Sequence, residues 1–208
     1  MLELLWPSRC AGCGLEGCGV ICPACRPGQG HLVPLLIAGV QGVYTTAGYD
    51  SGVGRAVQLA KYGARRKLAL SLADDFAVAL SGVLGSLPFS AVVPIPPNRV
   101  RLLSRGFNFP DLLASALAWR TGRHVLRALT LGSGRHQAGA TRAQRLRGAG
   151  GRVRSVRQFD GEAFLIVDDV VTTGSTAALC ARELLGAGSG PVWLATLCAT
   201  RMKIVRNL

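Results

Sequence analysis

The sequence predicts an α/β domain, a mainly parallel sheet flanked by helices, preceded by a small cysteine-bearing module. Three observations carry this. Apolar runs of strand length alternate along the chain with stretches of helical periodicity. One such run, Phe164-Leu-Ile-Val-Asp-Asp-Val-Val-Thr-Thr-Gly-Ser-Thr176, ends in two carboxylates and a turn of hydroxyls and glycine, and a helical pattern follows it. Five of the seven cysteines lie within the first 25 residues. A length of 208 residues suits one ordinary domain plus a small appendage.

Residues 1–30 read as the appendage. Cys10/Cys13 and Cys22/Cys25 are two C-x₂-C pairs, and Gly12, Gly14, Gly17 and Gly19 permit the tight turns of two knuckles. Two knuckles supply four thiolates in tetrahedral geometry, a closed structural zinc site. A module this small has almost no core, so metal binding would supply its folding free energy. Cys18 is the odd one, either a substitute ligand or a free thiol. A disulfide cluster is the alternative, and a reducing compartment disfavours it.

Residues 31–208 read as the main domain. Residues 34–42 form a linker into a strand at 43–49. Val53, Val57 and Ala60 then recur at helical spacing over 51–62. A basic turn, Arg65 to Lys67, starts a second helix through Leu84, with Leu68, Leu72, Phe76, Ala79 and Leu80 on one stripe and Asp74 and Asp75 on its solvated flank. Residues 89–93 are a strand, closed by Pro94-Ile-Pro-Pro97, which fixes a rigid loop. Arg99, Arg101 and Arg105 follow, then Gly106-Phe-Asn108 and a helix to about residue 120. Loops at the carboxyl ends of parallel strands are where α/β sheets bind ligands. The three arginines are therefore expected to face the same crevice as Asp168, against the plainer alternative of surface arginines. Phe107, Phe109 and Trp119 have the spacing of core residues. Residues 132–158 are rich in Gly, Arg and Gln with few large apolar groups, which predicts a basic flexible lid. His136 within it reads as solvated. Cys180 and Cys198 fall in a predicted helix and strand and read as core thiols, and the last strand runs over 192–198.

The paired aspartates and the turn after them are suited to a sugar phosphate. Helix N-termini present unpaired N–H groups and a partial positive charge. Gly174 lets the backbone approach a phosphate closely, and Thr172, Thr173, Ser175 and Thr176 add hydroxyl donors. Carboxylates accept from sugar hydroxyls or hold a phosphate-bound Mg²⁺. A capped helix after a strand also occurs with no ligand present; here the full string is narrower than that pattern. No Gly-Lys-Ser/Thr stands at Walker A spacing.

The formal net charge is +13, and arginine supplies nearly all the excess, since lysine occurs only at Lys61, Lys67 and Lys203. Residues 112–159 hold ten arginines and no carboxylate. Arginine forks suit phosphate, so a nucleic-acid backbone, single-stranded DNA included, or a polyphosphate is the partner class. An arginine-rich composition alone would explain Arg over Lys, but not the missing carboxylates. No apolar run reaches the ~18 residues of a membrane span, and no basic flank with an apolar signal core opens the chain, so a cytoplasmic protein is expected.

In its order of motifs the chain resembles the ComF family, the ComFC/GntX-like proteins related to type I phosphoribosyltransferases. The resemblance rests on Cys10/Cys13/Cys22/Cys25, on Val93-Pro-Ile-Pro96 with Arg105-Gly-Phe-Asn108, on Arg135…Thr141…Gln144, and on Asp168-Asp-Val-Val-Thr-Thr-Gly174. Phe109 stands where the family often has Gln, and the lid lacks the family's Glu-Arg and Asn. The resemblance implies the Rossmann-like type I phosphoribosyltransferase fold with an N-terminal zinc module, binding phosphoribosyl pyrophosphate (PRPP) with Mg²⁺. It places Asp168 and Asp169 on the ribose hydroxyls and Thr172, Thr173, Gly174, Ser175 and Thr176 on the 5′-phosphate, with Val170 and Val171 in the same PRPP-binding stretch. Pro96, Pro97 and Arg105 belong to the pyrophosphate side, and Arg99, Arg101 and Arg135 would stabilise departing pyrophosphate. The family is linked to natural transformation, handling single-stranded DNA beside helicase-like and recombination proteins. Two other functions stay open at this point: a non-catalytic PRPP- or nucleotide-sensing DNA-binding adaptor, and a purine- or pyrimidine-type phosphoribosyltransferase of nucleotide salvage.

Overall fold

A computed structural model describes residues 9–63, 65–132 and 153–200. A 3₁₀ turn at Pro23–Cys25 closes the cysteine-rich segment. The elements then run β1 (His31–Val33), β2 (Val43–Gly48), α1 (Gly52–Tyr62), α2 (Arg66–Leu84), β3 (Ala91–Pro94), α3 (Arg99–Arg105), α4 (Phe109–Thr121), β4 (His124–Val125), β5 (Leu129–Leu131), β6 (Val153–Ser155), β7 (Phe164–Val171), α5 (Ser175–Gly186) and β8 (Val192–Ala199). Six strands form one sheet in the order β1-β2-β8-β7-β3-β4. Only β1 pairs antiparallel in it; the other four pairings are parallel. The expected α/β class, a mainly parallel sheet flanked by helices, is what the chain forms.

Both faces of the sheet are covered, which is why its central strands read as continuous apolar runs. On one face α1, α2 and α4 pack with Leu165, Val167, Ala195 and Leu197, and Phe76, Phe109, Leu113 and Leu117 fill the layer. On the other, Ala177, Cys180, Ala181 and Leu184 of α5 pack with Phe164, Ile166, Val192 and Leu194. Cys180 and Cys198 are fully buried, and burial pushes both thiols up to about 12. Phe107 and Phe109 are core residues in edge-to-face contact, 6.3 Å between centroids. Trp119, by contrast, is 88% exposed at the end of α4.

The longer elements fall where the periodicity puts them, and the differences have local causes. Pro94 is the last residue of β3 and still pairs with Val167, one residue past the expected end of the strand. The amide of Ile95 points to β7, donating to Val167 O at 3.0 Å, so the N–H missing at Pro94 would have faced the β4 side. There β4 pairs only with Ala91 and Val92, and no ladder bond is lost. Part of the expected lid is ordered: β6 pairs antiparallel with β5, and Val153 is buried. The short helix α3 was not anticipated. Asp74 is exposed as expected, but Asp75 is half-buried, 3.6 Å from Arg26, with one oxygen lacking a hydrogen-bond partner among the described residues.

Candidate functional site

Strands β3 and β7 are parallel neighbours whose connections leave in opposite directions. From β3 the chain passes through α3 and α4 to β4 on one side; from β7 it passes through α5 to β8 on the other. That divergence opens a crevice at their carboxyl ends, the usual ligand site of an open α/β sheet. Asp168 and Asp169 lie near the end of β7, and Pro96 and Pro97 follow the end of β3. The Ile95–Val167 bond ties the start of the proline loop to β7, one residue before Asp168.

Asp168 lines a small cleft of about 30 Å³ with Val170, Val171, Thr172, Thr173, Gly174, Ser175 and Thr176. Gly174 caps α5 in the left-handed region, φ 73°, and offers no side chain as a cap, so apart from the Ser175 amide the first turn's N–H groups are left for an anion. Thr173 Oγ1 donates to Ser175 Oγ at 3.1 Å and accepts from the Ser175 amide at 3.4 Å, which shapes the turn. The Thr200 amide donates to Val171 O and its hydroxyl to Thr172 O, tying the loop to the end of β8. Glycine at 174 is required twice over. A Cβ there would meet Ile37 Cδ1 at 2.6 Å, and the positive φ disfavours any side chain. Gly174→Ala should therefore cost about 2 kcal/mol, seen as a lower urea midpoint at unchanged m; an unshifted midpoint would show that Ile37 gives way freely.

The two carboxylates have different surroundings. Asp169 is buried and receives Lys61 Nζ from the last turn of α1 at 2.7 Å. Asp168 Oδ1 accepts from the Asp169 amide at 2.8 Å. Burial, and after it the charge of Asp169, hold the Asp168 carboxyl well above the usual carboxylate range, against the pull of that amide and of Lys61. Strand alternation slips here. Val167 and Val170 both pack on the α1/α2/α4 side, and the ladder pairings of β7 with β8 pass over Asp169. Up to Asp169 the alternation is regular, and it sends Asp169 to the Lys61 side and Asp168 to the phosphate-loop side; the slip follows, at Val170.

Arg99 and Arg101 lie in α3, the first element after the β3 loop. Arg105, in the last turn of α3, is half-exposed, with its guanidinium 5.8 Å from the ring centre of Tyr62, the neighbour of Lys61. Arg135, with Thr141, Gln144 and His136, lies outside the described residues. Two residues given no site role from the sequence, Lys61 and Ile37, complete the site, together with Asn108 of the Arg-Gly-Phe-Asn string. Lys61 partners Asp169, and Ile37, read as linker, supports Gly174. Asn108 donates to Ile95 O at 3.3 Å and to Asp111 Oδ2 at 2.9 Å, fastening the proline loop to α4. Lys61 carried a signal, a lysine in a helix's last turn in a chain that otherwise uses arginine. Trp119 sits in the last turn of α4 ahead of β4, whose first residue pairs with the start of β3 and not with the end that carries the crevice.

A second site lies in the cysteine segment. The sulfurs of Cys10, Cys13, Cys22 and Cys25 all fall within 4.8 Å of one another, with Cys13 and Cys22 at 3.7 Å. A tetrahedral metal with bonds of about 2.3 Å to sulfur needs sulfurs about 3.8 Å apart. The amides of Gly12 and Cys22 both donate to Cys10 Sγ at 3.3 Å. Burial raises the Cys10 thiol, but the amides of Cys22, Cys13 and Gly12 outweigh it and bring it down to about 6. The four thiols are placed to hold one metal ion. Cys18 donates instead to Leu15 O at 3.1 Å. No helix among the described residues is long and apolar enough to cross a membrane.

No protein-family model matches the chain. Among curated proteins, DNA utilization protein YhgH of Salmonella typhi is 30% identical over 197 residues, covering 86% of this chain and 84% of that protein. Competence protein ComFC of Bacillus subtilis is 29% identical over 184 residues, covering 82% and 73%. Among solved structures, the purine phosphoribosyltransferase from Pyrococcus horikoshii Ot3 aligns with a TM-score of 0.45 at 16% identity, over 63% of this chain and 77% of that one.

Proposed function

The chain belongs to the ComF family, and from that premise we propose that it is a cytoplasmic, PRPP-binding, phosphoribosyltransferase-like protein that handles imported single-stranded DNA in natural transformation. The observation that carries the PRPP reading is the pair Asp168–Asp169 at the carboxyl end of β7, one residue string away from the uncapped N-terminus of α5. A pentose 5-phosphate is the ligand that this pairing of carboxylates and phosphate turn suits. Its terminal phosphoryl group accepts from the amides and hydroxyls of Thr172 to Thr176, and its ring hydroxyls donate to the carboxylates. The proline loop and the basic helix α3 stand across the crevice, where a pyrophosphate on the anomeric carbon projects, and Arg99, Arg101 and Arg135 are assigned to it.

Asp168 offers the oxygen donors that Mg²⁺ prefers. Bound with the ligand, the ion would neutralise charge on the leaving pyrophosphate. Departure of pyrophosphate leaves positive charge on the ribose ring, which Asp168 and Asp169 stabilise electrostatically. Residues 1–30 form the metal module in this reading, with Cys10, Cys13, Cys22 and Cys25 holding a structural zinc. The basic stretch around 132–158 and the net charge of +13 suit a polyanionic partner.

The test is release of pyrophosphate. Protein with PRPP and Mg²⁺ is assayed alone, with candidate bases and with single-stranded DNA. Turnover that needs an acceptor marks a transferase. Binding without turnover marks a PRPP-sensing adaptor. Absence of binding removes the phosphoribosyl reading.

A further inference from the structure

Helix α1 touches both the cysteine cluster and the carboxylate pair. At its first turn, Gly52 is so close to Cys25 that a Cβ would meet Sγ at 2.5 Å. Gly12, between the first two cysteines, is equally tight; a Cβ there would lie 2.7 Å from Cys25 Sγ and 2.8 Å from Gly52 O. Arg55, one turn on, donates from Nε to Gly12 O. The body of the helix has no slack either. Val53, Ala56, Val57 and Ala60 are buried in the same apolar cluster as Cys10, Ile21, Cys22 and Cys25. At the far end Lys61 meets Asp169 at 2.7 Å, with both side chains less than a fifth exposed.

An eleven-residue helix is a rod about 16 Å long, and one set by packing along its length moves as a unit. The geometry points to α1 as a strut through which the four-cysteine module positions Lys61 against Asp169. Lys61 is then a positioning residue for the ligand site, and the module serves that site as well as its own stability. The inference rests on the PRPP reading. A polyanionic ligand must approach two adjacent carboxylates, and Lys61 neutralises one of them and fixes its direction. When the grip on Gly12 and Cys25 loosens, Lys61 drifts, Asp169 faces the site uncompensated, and the polyanion binds less well.

The experiment is calorimetric titration of the zinc-loaded protein with PRPP in the presence of Mg²⁺. Lys61→Met keeps the packing of the stem and removes the charge; it should weaken binding about tenfold, the effect of losing one close charge contact. Lys61→Arg should restore most of the affinity, which a purely structural role would not require. Arg55→Ala, at an exposed position far from the carboxylates, should weaken binding severalfold with its zinc content unchanged. The double variant should bind no worse than Lys61→Met alone, because both changes act through one contact. Additive losses, or an Arg55→Ala protein that binds like wild type, overturn the strut while leaving the PRPP reading intact. Wild-type protein that binds no PRPP overturns the reading and the strut with it.

Discussion

Asp168→Asn should lower the affinity for PRPP with Mg²⁺ by at least about 100-fold, as expected for charge-assisted hydrogen bonds lost at a buried site, and the same substitution should stabilise the protein at neutral pH. The gain in stability follows from the electrostatics at Asp168. Burial and the neighbouring Asp169 raise the Asp168 carboxyl well above its ordinary value. The folded chain therefore holds a proton there that the unfolded chain has released, over the whole interval between the two pKa values. Stability falls as pH rises through that interval. Above it, the ionised Asp168 costs the fold free energy that asparagine does not cost, while asparagine still accepts from the Asp169 amide. Thermal melts of the two proteins should differ in favour of the variant at pH 7–8 and converge toward the ordinary carboxylate range near pH 4. Equal melting curves at every pH would mean that Asp168 is not under electrostatic load, and unaltered PRPP binding would remove it from the site.

A carboxylate kept at such a position against stability is the pattern of a functional residue rather than a packing one. Asp169 makes the contrast. Its charge is matched by Lys61, so the pair presents one compensated and one loaded acid side by side. Of this arrangement the sequence shows the two aspartates, the turn and the helix after them, because strand, loop and helix here are local and contiguous. It does not show the Lys61 contact, which joins residues 108 apart and depends on how α1 lies on the sheet. Ile37 is illegible for the same reason: an apolar residue in a proline-bearing linker has no periodicity to announce that it lies under Gly174. The strands β1, β4, β5 and β6 are two or three residues long, too short for alternation to register. Pro94 misleads because its cost depends on the neighbouring strand being absent, which is a property of the sheet and not of the segment. Trp119 has core spacing on α4, yet it projects from the helix end beyond the layer that buries Leu113 and Leu117.

Removing the metal, or replacing Cys10 and Cys22 with Ser, should lower the melting temperature by more than about 10 °C, because a structural zinc contributes several kcal/mol and each kcal/mol is about 2–4 °C at this size. The loss should not stop at the knuckles. Cys10, Ile21, Cys22 and Cys25 share one apolar cluster with Val53, Ala56 and Val57 of α1 and with Leu68 and Leu72 of α2. Four thiols within 4.8 Å cannot all ionise without a cation; burial and the other cysteines push Cys25 up to about 12 even as amides draw Cys10 down. Without metal the four sulfurs still fill the volume of the cluster, but nothing fixes their positions. Hydrogen exchange should therefore rise first over residues 9–30 and then along α1, while β7 and α5, which pack on the opposite layer or at the sheet's centre, keep their protection. Elemental analysis should find one zinc per wild-type chain and none in the double variant. A reduced wild-type protein without zinc, or a chelated protein that melts where the loaded one does, would leave the four cysteines as packing alone and take from α1 the anchor at its first turn.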